Sequence, residues 1–314
     1  GIHLYTMNRP ETTRRIMENI ALIQKNSVPR RECEWVRKVD CHVHVYPPHV
    51  IENWKTIAET EPYFGLLASG KVHRWATADD AIAAMDEAGI SESWVFGFAF
   101  KDLGLCRECN DYVIESQSLH PGRLKGFAVV PPLARGAEEE IQRCREKGLW
   151  GVGELFPEGQ GFDLSDIRQT WRLAGACHES GMPVVFHTAE PVGHAYPGKG
   201  TVGPAEAVAL CTHHPELKVV FAHMGGGLWL YELMPEMSTT LQNAWYDTAA
   251  LPFLYGPAIY RAAWAAGVGE KILFGSDFPI LKWARHARHI EAAGLEPEQQ
   301  AALLAGNADR FFQH

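Results

Sequence analysis

Eight short runs of β-branched and aromatic residues, separated by stretches with helical character, constrain this chain more than any other feature. The runs fall at 36–46, 93–100, 124–130, 149–155, 183–188, 218–223, 244–248 and 271–276. Between them, 77–88 opens on a cap-like Thr77, sets Ile82 and Met85 at helical spacing and stops at Gly89. The segments 136–147 and 165–180 behave in the same way, and Gly181 follows the second. Eight strands alternating with helices predict an α/β fold, a (β/α)8 TIM barrel.

A chain of 314 residues suits one such barrel with an extension. We expect an N-terminal extension over 1–35 and the barrel over 36–314. Within the extension, 9–26 places Ile16, Ile20 and Ile23 on one helical face, an amphipathic helix that would plug the barrel or pack on a neighbour, as in a homodimer. The formal net charge of −9 argues against nucleic acid as the partner and leaves a small-molecule substrate. No apolar run approaches the roughly 20 residues of a membrane helix. The opening GIHLYTMNRPETTRR has no continuous apolar core, so no secretory signal is expected. Seven scattered cysteines fit reduced thiols and a cytoplasmic location. The CREC of Cys106–Cys109, placed in the loop after strand 2, reads as free thiols near the rim.

Barrel active sites lie at the C-terminal ends of the strands. Strand 1 ends in VDCHVHVY with His42 and His44, which share a face because residues i and i+2 of a strand point the same way. Strand 4 ends at Glu154, strand 5 at His187, strand 6 at His223 and strand 8 at Asp277. Burying four imidazoles and two carboxylates together is costly unless a cation compensates them. Nitrogen and oxygen donors of this kind suit zinc, and also manganese or iron, as one or two divalent ions.

The order HxH, Glu, His, His, Asp resembles the amidohydrolase superfamily. FAHMGGG, FGSDFP and the closing LLAGNADRFF are similar to the amidohydrolase 2 branch, which includes relatives of aminocarboxymuconate semialdehyde decarboxylase. The resemblance implies His42, His44, His187 and Asp277 as metal ligands, with Asp277 also taking the proton from an attacking water. It makes His223 either a ligand of a second ion or a donor to the substrate oxygen. Glu154 resembles the bridging glutamate of TatD-type hydrolases. The expectation is therefore a metal-dependent hydrolase cleaving an amide, ester or lactone of an anionic substrate. A mononuclear non-oxidative decarboxylase, with His223 as its acid, is the alternative.

Substrate contacts are expected from the loops. TAEPVGHAYPGKGTVGP after strand 5 holds Glu190, His194, Tyr196 and Lys199, and WYDTAALPFLYG after strand 7 holds Tyr246 and Asp247. Lys101 follows strand 2, and Arg74 lies in the long segment 47–76, read as a lid loop. Converging cations among these would select a carboxylate or phosphate.

Overall fold

A computed structural model describes residues 37–313; the helix expected at 9–26 lies outside them. The strands are β1 (Val39–His44), β2 (Glu92–Phe96), β3 (Leu124–Ala128), β4 (Gly151–Leu155), β5 (Val184–Phe186), β6 (Val219–Phe221), β7 (Ala244–Asp247) and β8 (Ile272–Leu273). They pair in sequence order and in parallel. β8 meets β1 through the Val43–Phe278 bridge and through the bond from the Cys41 N–H to the Phe274 carbonyl at 2.7 Å. The eight runs are thus the staves of a TIM barrel with helices between them.

Local chemistry explains the helix limits. Ala78–Ala88 is closed at its start by a capping box, in which Thr77 accepts from the Asp80 N–H and Asp80 accepts from the Thr77 N–H. It ends at Gly89 in the left-handed region, and Gly181 ends Ile167–Ser180 in the same conformation. The segment after β1 is more ordered than a loop, since it folds into Pro48–Glu52, Trp54–Thr60 and Pro62–Ala68. The closing LLAGNADRFF docks through Asn307, whose amide donates to the Gly269 and Ile272 carbonyls. Phe311, fully buried, lies 5.3 Å from the rings of both Trp94 and Trp245. Burying a side chain of this size contributes about 1.5–3 kcal/mol.

Cys106 and Cys109 sit inside helix Leu103–Leu119 with no exposed surface, not in a rim loop. Burial pushes both thiols up, the second to about 12, so they are inert as nucleophiles. Among the described residues, no helix is long and apolar enough to cross a membrane.

Candidate metal centre

β1 brings His42 and His44 to one face of the barrel. Pairing shifts register between Asp40 and Val43 on β1 and between Val152 and Leu155 on β4, the strands that carry His42 and Glu154. Such irregularities re-aim side chains. Gly153 permits the second: its φ is +119°, and a Cβ there would lie 2.3 Å from the Val185 carbonyl oxygen. After β6, a Cβ on Gly226 would lie 2.2 Å from the Ala189 oxygen, so HMGGG lets this backbone press against the strand 5 loop.

His223 and Asp277 have φ of 57° and 63°. Residues with a Cβ hold this left-handed conformation where their surroundings impose it. The His223 N–H donates to Asp247 Oδ1 at 3.0 Å, and the Asp277 N–H donates to the His42 carbonyl at 3.0 Å.

The six side chains form two groups, His42 with His44 and Asp277, and Glu154 with His187 and His223; within each, one ligand atom per residue lies within 4.8 Å of the others. None of the six is more than 8% exposed. Glu154 spans both groups. Its Oε2 is 3.4 Å from His42 Nε2 and 3.3 Å from His44 Nε2, while its Oε1 is 3.1 Å from His187 Nδ1 and 3.6 Å from His223 Nε2. Asp277 Oδ1 stands 3.9 and 3.6 Å from the Nε2 atoms of His42 and His44. Donors around a tetrahedral ion at about 2.0–2.2 Å lie about 3.3–3.6 Å apart; the distances from Glu154 Oε2 to His42 and His44 and from Asp277 Oδ1 to His44 match that spacing, and the 3.9 Å from Asp277 Oδ1 to His42 exceeds it.

Hydrogen bonds fix the free nitrogen of three imidazoles. His42 Nδ1–H donates to Asp247 Oδ2 at 2.8 Å, His223 Nδ1–H donates to the Ala249 carbonyl at 2.9 Å, and His187 Nε2–H donates to the Lys199 carbonyl at 3.0 Å. Each ring then turns its other nitrogen inward, as ligating histidines do when an outer partner orients them. His42 Nε2 is buried without a hydrogen-bond partner among the described residues. His187 Nδ1 and His223 Nε2 face each other at 3.1 Å beside Glu154 Oε1. Three lone pairs cannot converge without a positive charge, so this group holds a proton or a cation.

Electrostatics agree. Burial alone would raise Glu154, yet the charge of His42 and hydrogen bonds from His187, His223 and His42 hold its carboxyl well below the usual range. Burial lowers His42, but Asp247 and Glu154 outweigh it and raise the ring well above its ordinary value. Burial also lowers His223, and the Glu154 bond with the charges of Glu154, Asp277 and Asp247 overcomes it, to about 9. A folded value of about 9 against about 6.5 unfolded gives stability that is complete below pH 6.5 and lost as pH rises through 9. Metal-free protein should therefore melt roughly 5 °C lower at pH 9.5 than at pH 6.5. Thermal scans in chelator check this, and a melting temperature that rises over that span would contradict it.

The expected substrate residues divide. Glu190 and Tyr196 are part-buried in the loop after β5, whereas His194 is exposed beside Tyr196. Lys199 Nζ donates to the Val192 and His194 carbonyls, and exposed Arg74 donates to those of Lys71 and His73. In the structure both cations bond loop backbone. Lys101 is exposed, and its backbone N–H is bound by Glu61. Tyr246 turns outward, giving its phenol O–H to Glu232, which also pairs with Lys271. Asp247 is fully buried and holds His42, the His223 N–H and the Ala249 N–H, so it braces the centre and does not line a substrate pocket. Parity could have separated this pair, since adjacent strand residues point to opposite faces.

Comparison with known proteins adds the chemistry of relatives. The chain is 30% identical over 161 residues to a gamma-resorcylate decarboxylase from Rhizobium sp., an alignment covering 41% of this chain and 46% of that enzyme. The chain thus spans about half the length of that relative. A gamma-resorcylate decarboxylase from Polaromonas sp. is 24% identical over 256 residues, 66% of this chain and 76% of that enzyme. Among solved structures, a dihydroxybenzoic acid decarboxylase from Polaromonas sp., with bound manganese and the inhibitor 2-nitroresorcinol, superposes with a TM-score of 0.65 at 18% identity, covering 88% of this chain and 97% of that one. These relatives overturn the hydrolytic expectation. Glu154 in the strand 4 position suggested a hydrolase, but the same donors serve either reaction, and the similar enzymes are decarboxylases. A family model described as Amidohydrolase matches residues 39–313, and the chain belongs to that family.

Proposed function

We propose that this protein is a metal-dependent, non-oxidative decarboxylase of a hydroxylated aromatic carboxylate. The observation that carries this reading is that Glu154 joins the donors His42, His44 and Asp277 to an adjoining group, His187 and His223, that must hold a positive charge. His42, His44, Asp277 and Glu154 would hold the ion. Manganese replaces zinc as the first metal to test, because a structural relative contains it and a mixed imidazole–carboxylate set accepts either. When bound, the ion would neutralise and orient the substrate carboxylate.

The protein's own residues supply the rest. Phe156 stacks on His187 at 4.6 Å and Phe98 stacks on Phe156 at 5.6 Å, an aromatic stack that holds the His187 ring in place beside the second group. His223 carries the proton of the second group on Nε2, with Nδ1 anchored on Ala249. It gives that proton to the ring carbon bearing the carboxylate. The bond from that carbon to the carboxylate then breaks, its electron pair restores the aromatic ring, and carbon dioxide leaves. A neighbouring hydroxyl makes the ring carbon electron-rich enough to accept the proton.

Manganese-loaded protein given 2,6-dihydroxybenzoate should form resorcinol and carbon dioxide in equal amounts, with about one ion per chain by elemental analysis. No carbon dioxide from any hydroxybenzoate would sink the reading. Two ions per chain would move His187 and His223 from proton holding to a second metal site.

A further inference from the structure

The segment after β5 folds back across the centre. Its Lys199 carbonyl binds His187, and a Cβ at Gly200 would lie 3.3 Å from Glu158 Oε2 and 3.5 Å from His187 Cδ2. Glu190 opens this segment, three residues after His187. A Cβ at Gly226 would lie 3.2 Å from the Glu190 backbone nitrogen and one at Gly227 would lie 3.9 Å from the Tyr255 hydroxyl, so the loop after β6 runs beside both residues, and the Tyr255 phenol is within hydrogen-bonding reach of the Glu190 carboxylate.

One oxygen of Glu190, Oε1, is buried with no hydrogen-bond partner among the described residues. A carboxylate oxygen only accepts, and a buried acceptor without a donor is uncommon in folded proteins. Burial raises the Tyr196 phenol most, and the charges of Glu190, Asp277 and Glu154 add to it, so this part-buried ring is within electrostatic reach of both Glu190 and the metal group. Lys199 and Arg74, two of the cations of these loops, are already engaged on carbonyl oxygens. The rim therefore presents the carboxylates of Glu158 and Glu190 without compensation from either cation.

We infer that Glu190 Oε1 accepts a hydrogen bond from a hydroxyl or amino group on the substrate ring, so that the substrate is a monocarboxylate with a neutral donor and a dicarboxylate is repelled. This rests on the proposed decarboxylase reading for the position of the ring. A site built to bond a substrate donor rejects the analogue that lacks it far more strongly than an apolar site would. A second carboxylate would meet like charge at Glu190 in a partly desolvated pocket.

The test uses equilibrium binding to the manganese-loaded protein with three probes: 2-nitroresorcinol, its dimethyl ether, and 2-nitrobenzene-1,3-dicarboxylate. The wild type should bind 2-nitroresorcinol at least about 30-fold tighter than either other probe. In Glu190→Leu the preference over the ether should fall at least about tenfold, and in Glu190→Gln the dicarboxylate should gain at least about tenfold, both with metal content unchanged. Should the leucine variant fail to fold, the isosteric glutamine variant decides alone. Unchanged ratios in metal-replete variants would overturn the inference. Failure of the decarboxylase reading looks different: no carbon dioxide is released from hydroxybenzoates by the wild type, whatever the ratios do.

Discussion

His223→Gln lowers the decarboxylation rate of the manganese-loaded protein by about 10²–10⁴-fold, the range for losing a positioned general acid. The same variant keeps its metal, because the proposed ion lies among His42, His44, Asp277 and Glu154 Oε2, whereas His223 Nε2 is directed at Glu154 Oε1 and His187. Glutamine can still accept or donate a hydrogen bond there but cannot carry a transferable proton near neutral pH. Single-turnover rates and elemental analysis on one preparation check both halves of this statement. Loss of metal together with rate would make His223 a ligand and remove it as the acid. A rate within threefold of wild type would place the proton source elsewhere.

Asp247→Asn weakens metal binding by about 10–100-fold, as removal of an outer partner does in metalloenzymes. Asp247 is fully buried and accepts from His42 Nδ1–H at 2.8 Å through one oxygen, and from the His223 and Ala249 N–H groups at 3.0 and 2.9 Å through the other. Asparagine preserves volume but has only one carbonyl oxygen, so one set of these donors meets an NH2 group. Turning that NH2 toward His42 forces the ring into the tautomer that protonates Nε2, the nitrogen that faces the centre. The readout is metal affinity by competition with a chelator, alongside the melting temperature of the metal-free protein. Tyr246→Phe, one residue away on the opposite face, loses only the bond to Glu232 and should leave metal affinity unchanged. If the two variants weakened metal equally, Asp247 would be acting through general stability alone.

Much of the barrel was written in local chemistry. Buried parallel strands read as apolar runs because both faces are covered. Thr77, Asp80, Gly89 and Gly181 mark helix ends through side-chain and backbone preferences that act within a few residues. His42 and His44 could be assigned to one face because the strand repeat is two. The donor types at the strand ends likewise implied a cation, since uncompensated burial of six such groups is too costly.

Other features depend on contacts across the barrel. That Glu154 divides its two oxygens between two groups follows from where β1, β5 and β6 bring their ends, over separations from 33 residues to His187 to more than 100 to His42 and His44. Whether Lys199 and Arg74 meet substrate or backbone depends on how their loops fold back, and the carbonyls nearest to them take the charge. Asp247 acquires its role only when β7 stands beside β6 and one strand removed from β1, where His42 lies 205 positions away in sequence. Composition and periodicity therefore determine strands, helix ends and donor types, which are local properties. Which donor faces which, and which nitrogen of each imidazole remains free, is decided by tertiary structure, because hydrogen bonds are directional and of short range.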